Sequence, residues 1–251
     1  MRRILLNGIL LAVLGAAVSS LAVDVSAQRA VSKPELDAFE QRVRDYLLKH
    51  PEVIMEALQI LQERQRAAEA DNLRRAIAER SEEILNDPAA PVGGNPSGDV
   101  SLVEFFDYNC PYCRRVAPTV AELIAADPGL RVVYKEFPIL GPGSTFAARA
   151  ALAAHEQGKY APLHEALMQA NETLDEDRVL EIAQSIGLDL ERLREDMGDP
   201  AVDSAIEHNL ELAAALGITG TPSFVIGDQI VPGAVDRRTL QNLIARTRRG
   251  E

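Results

Sequence analysis

The chain contains two cysteines, and they stand three positions apart as Cys110-Pro111-Tyr112-Cys113. The run in front of them, Ser101 to Tyr108, is rich in apolar and aromatic residues and predicts a buried strand. The run behind them, Arg114 to Ala126, predicts a helix. Two thiols at a strand-to-helix junction are the arrangement that dithiol–disulfide exchange requires. Pro111 suits the first helical position, where its missing N–H costs nothing. Cys110 then lies at the helix N-terminus, where free N–H groups and the positive end of the dipole favour a thiolate. Cys113, one turn later, can attack the mixed disulfide that Cys110 forms with a substrate.

Two other uses of a Cys-x-x-Cys pair fit less well. A four-ligand zinc site needs further partners, and there is no second pair. His50, His155, His164 and His208 are scattered, so no metal is expected. A purely structural disulfide would close too short a loop to stabilise much. Two more features belong with the thiols. Glu104 points the other way from Val103 and Phe105 in an apolar strand. A carboxylate there is expensive to bury without work or a partner. Lys135 or Glu136 on the adjacent strand is the expected partner, and a sheet edge open to solvent is the alternative. With a raised pKa, a buried Glu104 would exchange protons with Cys113 during resolution. Thr221-Pro222 stands just before a later strand that the topology could bring beside Cys110. A cis bond there would leave flanking backbone free for a substrate strand. By itself, Gly220-Thr-Pro is equally an ordinary turn.

The elements that must hold these residues alternate from Val100 onward. A strand at 100–107 leads into a helix at 111–126, and Arg131 to Phe137 reads as a second strand. After a loop at 138–143 come helical periods at 144–157, 159–170, 176–187, 189–197 and 200–216. Ser223 to Ile226 reads as a strand, Gly227-Asp228 as a hairpin turn, and Gln229 to Val231 as its partner. Asp236 caps a last helix of about ten residues. The expectation is an α/β fold with helices on both faces of the sheet and an all-helical insertion at about 144–216, in a domain spanning 100–251.

The segment before that domain differs in character. Ser32 and Glu35 form a capping box with Pro34 in the first turn. Leu36, Phe39, Val43, Tyr46 and Leu47 recur at helical spacing through Lys49. His50-Pro51 interrupts, and a second helix runs from Glu52 with Val53, Ile54, Ala57, Leu58 and Leu61 on its apolar face. Beyond Leu61 the apolar pattern thins to Ala68, Leu73, Ile77, Ile84 and Leu85 among many charges. This stripe needs covering, by the main domain or by a sister chain. The long polar stretch at 62–83 favours a stalk over 28–87 that oligomerises. Asp87 to Asp99 is rich in proline and glycine, so a linker is expected at 88–99, with the domain boundary there.

Met1-Arg2-Arg3, an apolar run from Ile4 to Val18 and small residues at Val25-Ser26-Ala27 read as a signal peptide over 1–27, cleaved near Ala27. The run is short for a membrane span, an uncleaved anchor being the alternative. Export places the thiols in an oxidising compartment. The whole chain of 251 residues has a formal net charge of −12. Without Arg2, Arg3 and Asp24 it keeps 24 basic and 37 acidic residues, a net charge of −13. Such acidity argues against nucleic acid and anionic membranes as partners.

Phe105 to Cys113, the long helical insertion, and Gly220-Thr-Pro-Ser-Phe-Val-Ile226 together resemble the DsbA family of thioredoxin-fold proteins over residues 100–247. The resemblance implies a thioredoxin fold and thiol–disulfide exchange with folding or misoxidised exported proteins in the periplasm. It implies Cys110 as nucleophile, Cys113 as resolving thiol, Pro222 as the substrate-facing cis-proline and Glu104 as the buried acid. Thr221, Pro111 and Tyr112 are the further residues expected to meet substrate. No cofactor is implied beyond a redox-active Cys110–Cys113 disulfide. Arg44 to Ile54 is similar to the helical stalk of ScsC-type proteins, which implies a trimer through residues 32–86 and disulfide isomerisation. A membrane thiol-redox partner is implied as well. A monomeric oxidase, and a copper-handling or chaperone protein binding Cu(I) through the same thiols, are the rival expectations.

Overall fold

The computed structural model describes residues 32–250. The signal-peptide reading of 1–27 lies outside the described residues. Two compact units divide between Ile60 and Leu61.

In the first unit, α1 (Lys33–Lys49) begins at Ser32, whose backbone N–H donates to Glu35 Oε2 at 3.0 Å, as the capping box requires. His50-Pro51 separates it from α2 (Glu52–Glu79). No residue of α1 is buried, and Leu36, Phe39, Val43 and Tyr46 are 41–56% exposed. The apolar stripe is therefore uncovered in the single chain.

The second unit is built on one mixed sheet. After α3 (Ser81–Leu85) come β1 (Val92–Gly94), β2 (Val100–Phe106), α4 (Pro111–Ala126) and β3 (Leu130–Glu136). Five insertion helices follow: α5 (Pro142–Glu156), α6 (Tyr160–Met168), α7 (Glu176–Ser185), α8 (Leu190–Asp196) and α9 (Pro200–Ala215). The hairpin of β4 (Ser223–Ile226) and β5 (Gln229–Pro232) and then α10 (Arg237–Arg249) complete it. The strand order is β1-β3-β2-β4-β5, with β2 and β3 parallel and the remaining pairs antiparallel. The helix–strand alternation and helical insertion read from the sequence are thus present, as a thioredoxin-like fold.

Alternation along β2 sorts the core into two layers. Leu102 and Phe106 face α4, α10 and the insertion with Val132, Phe224 and Ile226. Val103 and Phe105 face the other way with Val133 and Val225, covered by Leu212 and Leu216 and by Ile77 of α2 and Ile84 of α3. The expected stalk over 28–87 therefore gives its last third to the core of the second unit. The sparse apolar residues among those charges are the ones that turn inward: Ile77 and Ile84 are buried, and Leu73 and Leu85 pack beside them.

The expected linker at 88–99 also differs. It contains β1, which pairs antiparallel with β3 as Val92 to Val133 and Gly94 to Arg131. The glycines are there for approach rather than flexibility. A Cβ on Gly93 would meet the Tyr134 ring at 2.9 Å, and one on Gly94 (φ +70°) would meet Leu130 O at 2.5 Å. Asp87, at the end of this helical lead-in, accepts a hydrogen bond from Lys135 Nζ, which is fully buried in β3.

Candidate active site

Cys110 is the N-cap of α4 and Pro111 its first helical residue. Both thiols are free and buried: Cys110 is 4% exposed and Cys113 0%. The Cys110 Sγ–H donates to Thr221 O at 3.3 Å. That contact joins the first βα unit to the loop before β4. It exists because β4 lies antiparallel beside β2, with Glu104 opposite Phe224 and Phe105 opposite Ser223. The Thr221–Pro222 peptide bond is cis. Pro222 O accepts from Gly233 N at 2.8 Å, and Ser223 Oγ donates to Gly220 O at 2.8 Å, so the loop is braced on both sides. Tyr112 is 55% exposed at the mouth, with the Arg115 guanidinium 5.0 Å from its ring centroid.

Burial raises the pKa of Cys113 far above the ordinary thiol value, and the nearby Glu104 and Cys110 charges push the same way, against a backbone hydrogen bond with Asp107. Glu104 itself is 1% exposed, and burial pushes its carboxyl up to about 8. Its Oε1 has no hydrogen-bond partner among the described residues. Neither expected partner serves it. Register places Glu104 beside Tyr134, whereas Lys135 lies beside Phe105 on the opposite face and reaches Asp87. Glu136 shares the face of Glu104 but is taken: Tyr108 Oη and Tyr160 Oη both donate to its Oε1, at 2.9 and 2.8 Å. The solvent-open alternative fails too, because β2 is the central strand.

Sequence reasoning missed the brace around the redox turn. Asp107 accepts from the backbone N–H groups of Asn109, Ile139 and Leu140 at 2.8–2.9 Å. The Asn109 side chain is zipped to Leu174, accepting from its N at 2.7 Å and donating to its O at 3.1 Å. Arg114 donates to Tyr108 O at 2.7 Å and to Glu172 O at 2.8 Å. Tyr108 also contacts His164 Nδ1 at 3.1 Å, and burial holds that imidazole down to about 3, hence neutral. The insertion therefore grips the residues immediately before Cys110. A signal existed in Tyr108 and Asn109, polar residues directly ahead of the first cysteine, but their partners are 56 and 65 residues further along.

Among the described residues no three His, Cys, Asp or Glu side chains are grouped as a metal site needs, and no helix is long and apolar enough to cross a membrane. Chemically, the arrangement offers one thiol at a helix start beside an accepting backbone carbonyl, a second thiol buried behind it and an ionisable acid below.

Comparison with known proteins agrees with this fold. The family described as DSBA-like thioredoxin domain matches residues 101–245, and that described as Copper resistance protein ScsC N-terminal domain matches residues 36–68. A thioredoxin-like oxidoreductase from Silicibacter pomeroyi is 54% identical, covering 67% of this chain and 97% of that one, with a TM-score of 0.66. A linker-deletion mutant of Proteus mirabilis ScsC is 30% identical, covering 90% and 100%, with a TM-score of 0.67. The Na(+)/H(+) antiporter NhaA 3 of Salinispora tropica is 33% identical over 137 residues. Those residues are 54% of this chain but only 21% of that antiporter.

Proposed function

Because the chain belongs to the family of DSBA-like thioredoxin domains, we propose that it is an exported thiol:disulfide oxidoreductase that forms or reshuffles disulfides in folding proteins. The observation that carries this reading is the Cys110 thiol at the start of α4, 3.3 Å from Thr221 O, with Cys113 one turn behind it. The Cys110 thiolate attacks one sulfur of a client disulfide, breaking the S–S bond and releasing the other sulfur as a thiolate. Cys113 then loses its proton and attacks Cys110 Sγ, which closes the Cys110–Cys113 disulfide and frees the client as a dithiol. The reverse sequence donates a disulfide. In isomerisation a client thiol displaces Cys110 first, so the pair ends as it began. Glu104, whose carboxyl burial pushes up to about 8 and whose charge acts on Cys113, exchanges the Cys113 proton in this reading. Thr221, Pro222 and Tyr112 border the position where client backbone would lie.

The uncovered stripe of α1 and the match of 36–68 to an ScsC N-terminal domain support an oligomer, a trimer by that likeness, with several redox sites around one client. Such an assembly favours isomerisation over oxidation. The signal segment supports a periplasmic location and renewal by a membrane thiol partner. One observation favours a second reading: the same N-terminal match carries a copper-resistance description. Two soft thiolates suit Cu(I), and that reading expects stoichiometric Cu(I) uptake with little exchange.

The deciding experiment is refolding of a scrambled disulfide protein by the full chain and by Cys110→Ser. Activity falling to background in the variant is expected. Retained turnover would overturn the mechanism, and tight Cu(I) binding by an exchange-inactive native chain would favour the second reading.

A further inference from the structure

A groove of about 650 Å³ runs beside the redox loop. Thr221 and Pro222 form its near side, Tyr112 its mouth, and Ile218 and Ile230 part of its wall. Leu73 extends that aliphatic wall and comes from α2, ahead of the whole thioredoxin-like domain. Leu73 is half-buried and packs against the core layer of Val103 and Phe105. Its neighbours fix it there. Arg74 Nε donates to Asp228 Oδ2 at 3.0 Å in the β4–β5 turn, and Ile77, one turn on, is buried. Arg115 supplies the groove's charge, and its guanidinium is stacked over Tyr112.

An extended client segment lying along Thr221-Pro222 turns alternate side chains toward and away from this surface. The side chain turned toward it meets Leu73, Ile218 and Ile230. Removing a large apolar side chain from water is favourable there, whereas a hydroxyl would lose water without finding a partner in that wall. We propose that Leu73 is a specificity-determining residue: as the aliphatic wall that α2 adds to the groove, it selects client cysteines flanked by a large apolar side chain. The inference rests on the disulfide-exchange reading of Cys110 and assigns to α2 a part in recognition that is separate from any oligomer it builds.

The test uses two disulfide-linked peptides that differ only in the residue flanking the cysteine, leucine or serine, with oxidised glutathione as a substrate too small to span the groove. The full native chain should favour the leucine peptide by about tenfold in kcat/KM, the scale at which an apolar pocket discriminates. Leu73→Ser should bring that ratio to within about twofold, acting through KM. Leu73→Phe, which fills the groove instead of emptying it, should lower the ratio while keeping the core contact. Glutathione rates should be unchanged in both variants. A native preference that survives both substitutions, a native chain without preference, or glutathione rates that fall in step with the peptide rates would overturn the proposal. A native chain that exchanges with no disulfide, glutathione included, would overturn the underlying redox reading as well.

Discussion

Glu104 is the residue at which sequence and structure diverge most instructively. Its alternation in β2 left a buried carboxyl or a solvent-open sheet edge, and its partner depends on the register with β3, where a one-position offset carries Lys135 to the other face. What remains is an acid among apolar and aromatic groups, titrating at about 8 instead of 4.5. Tyr134 and Glu136 on its side are both pushed above their usual ranges, and His164 is held near 3, all by burial. The folded chain keeps the Glu104 proton up to about pH 8, whereas the unfolded chain loses it near 4.5. The contribution of Glu104 to stability therefore falls as pH rises across that window, by about 1.4 kcal/mol per unit, while His164, neutral when folded, contributes in the opposite sense below its unfolded value of 6.5. Glu104→Gln should remove that contribution and leave those of its neighbours. Urea denaturation should show the variant gaining on the native chain by on the order of 3 kcal/mol between pH 5 and pH 8. Parallel curves would mean that Glu104 is ionised in the folded state.

Among the elements, the lead-in from α3 to β1 carries the main correction. Its proline and glycine content suggested a linker, yet Gly93 and Gly94 allow β1 to lie against Tyr134 and Leu130, and Asp87 holds the buried Lys135. Burial lowers the Lys135 pKa, and the hydrogen bond and charge of Asp87 oppose that shift. Asp87→Asn keeps the side-chain oxygen that caps Ala89 N–H but removes the charge facing Lys135. Breaking a buried pair from one side costs about 3 kcal/mol. The midpoint of thermal unfolding should drop by about 6–12 °C. Adding Lys135→Met to that variant should recover much of the loss, because no unpaired ammonium is then buried. A midpoint unmoved by Asp87→Asn would show that Lys135 is already neutral.

For the whole molecule, the division near Ile60 separates two tasks. Residues through Ile60 carry an uncovered apolar stripe and the greater part of the match to an ScsC N-terminal domain, whereas Ile77, Ile84 and Asp87 belong to the thioredoxin-like unit. Two truncations should therefore behave differently. A chain beginning at Leu61 should fold, keep its thiols reactive toward glutathione and sediment as a monomer, while the longer chain sediments as an oligomer. A chain beginning at Pro88 uncovers Val103, Phe105 and Val133 and should aggregate or unfold. Sedimentation velocity and circular dichroism on both distinguish the outcomes. An oligomer that persists from Leu61 onward would remove the assembly role from α1.

The Cys110–Cys113 pair, the helix that starts between them, the capping box at Ser32, the insertion and the hairpin at Gly227-Asp228 were all legible in order along the chain. Each depends on residue spacing within one or two turns, and local spacing is what a linear sequence states directly. Thr221-Pro222 was legible only as a candidate, since its meaning lies in a contact with Cys110 across 111 residues. The solitary burial of Glu104, the grip of Leu174 on Asn109, the strand hidden at Val92 to Gly94 and the arrival of Leu73 at the groove were decided by the tertiary structure. Register and packing between distant segments set these features, and no local period records which segments meet.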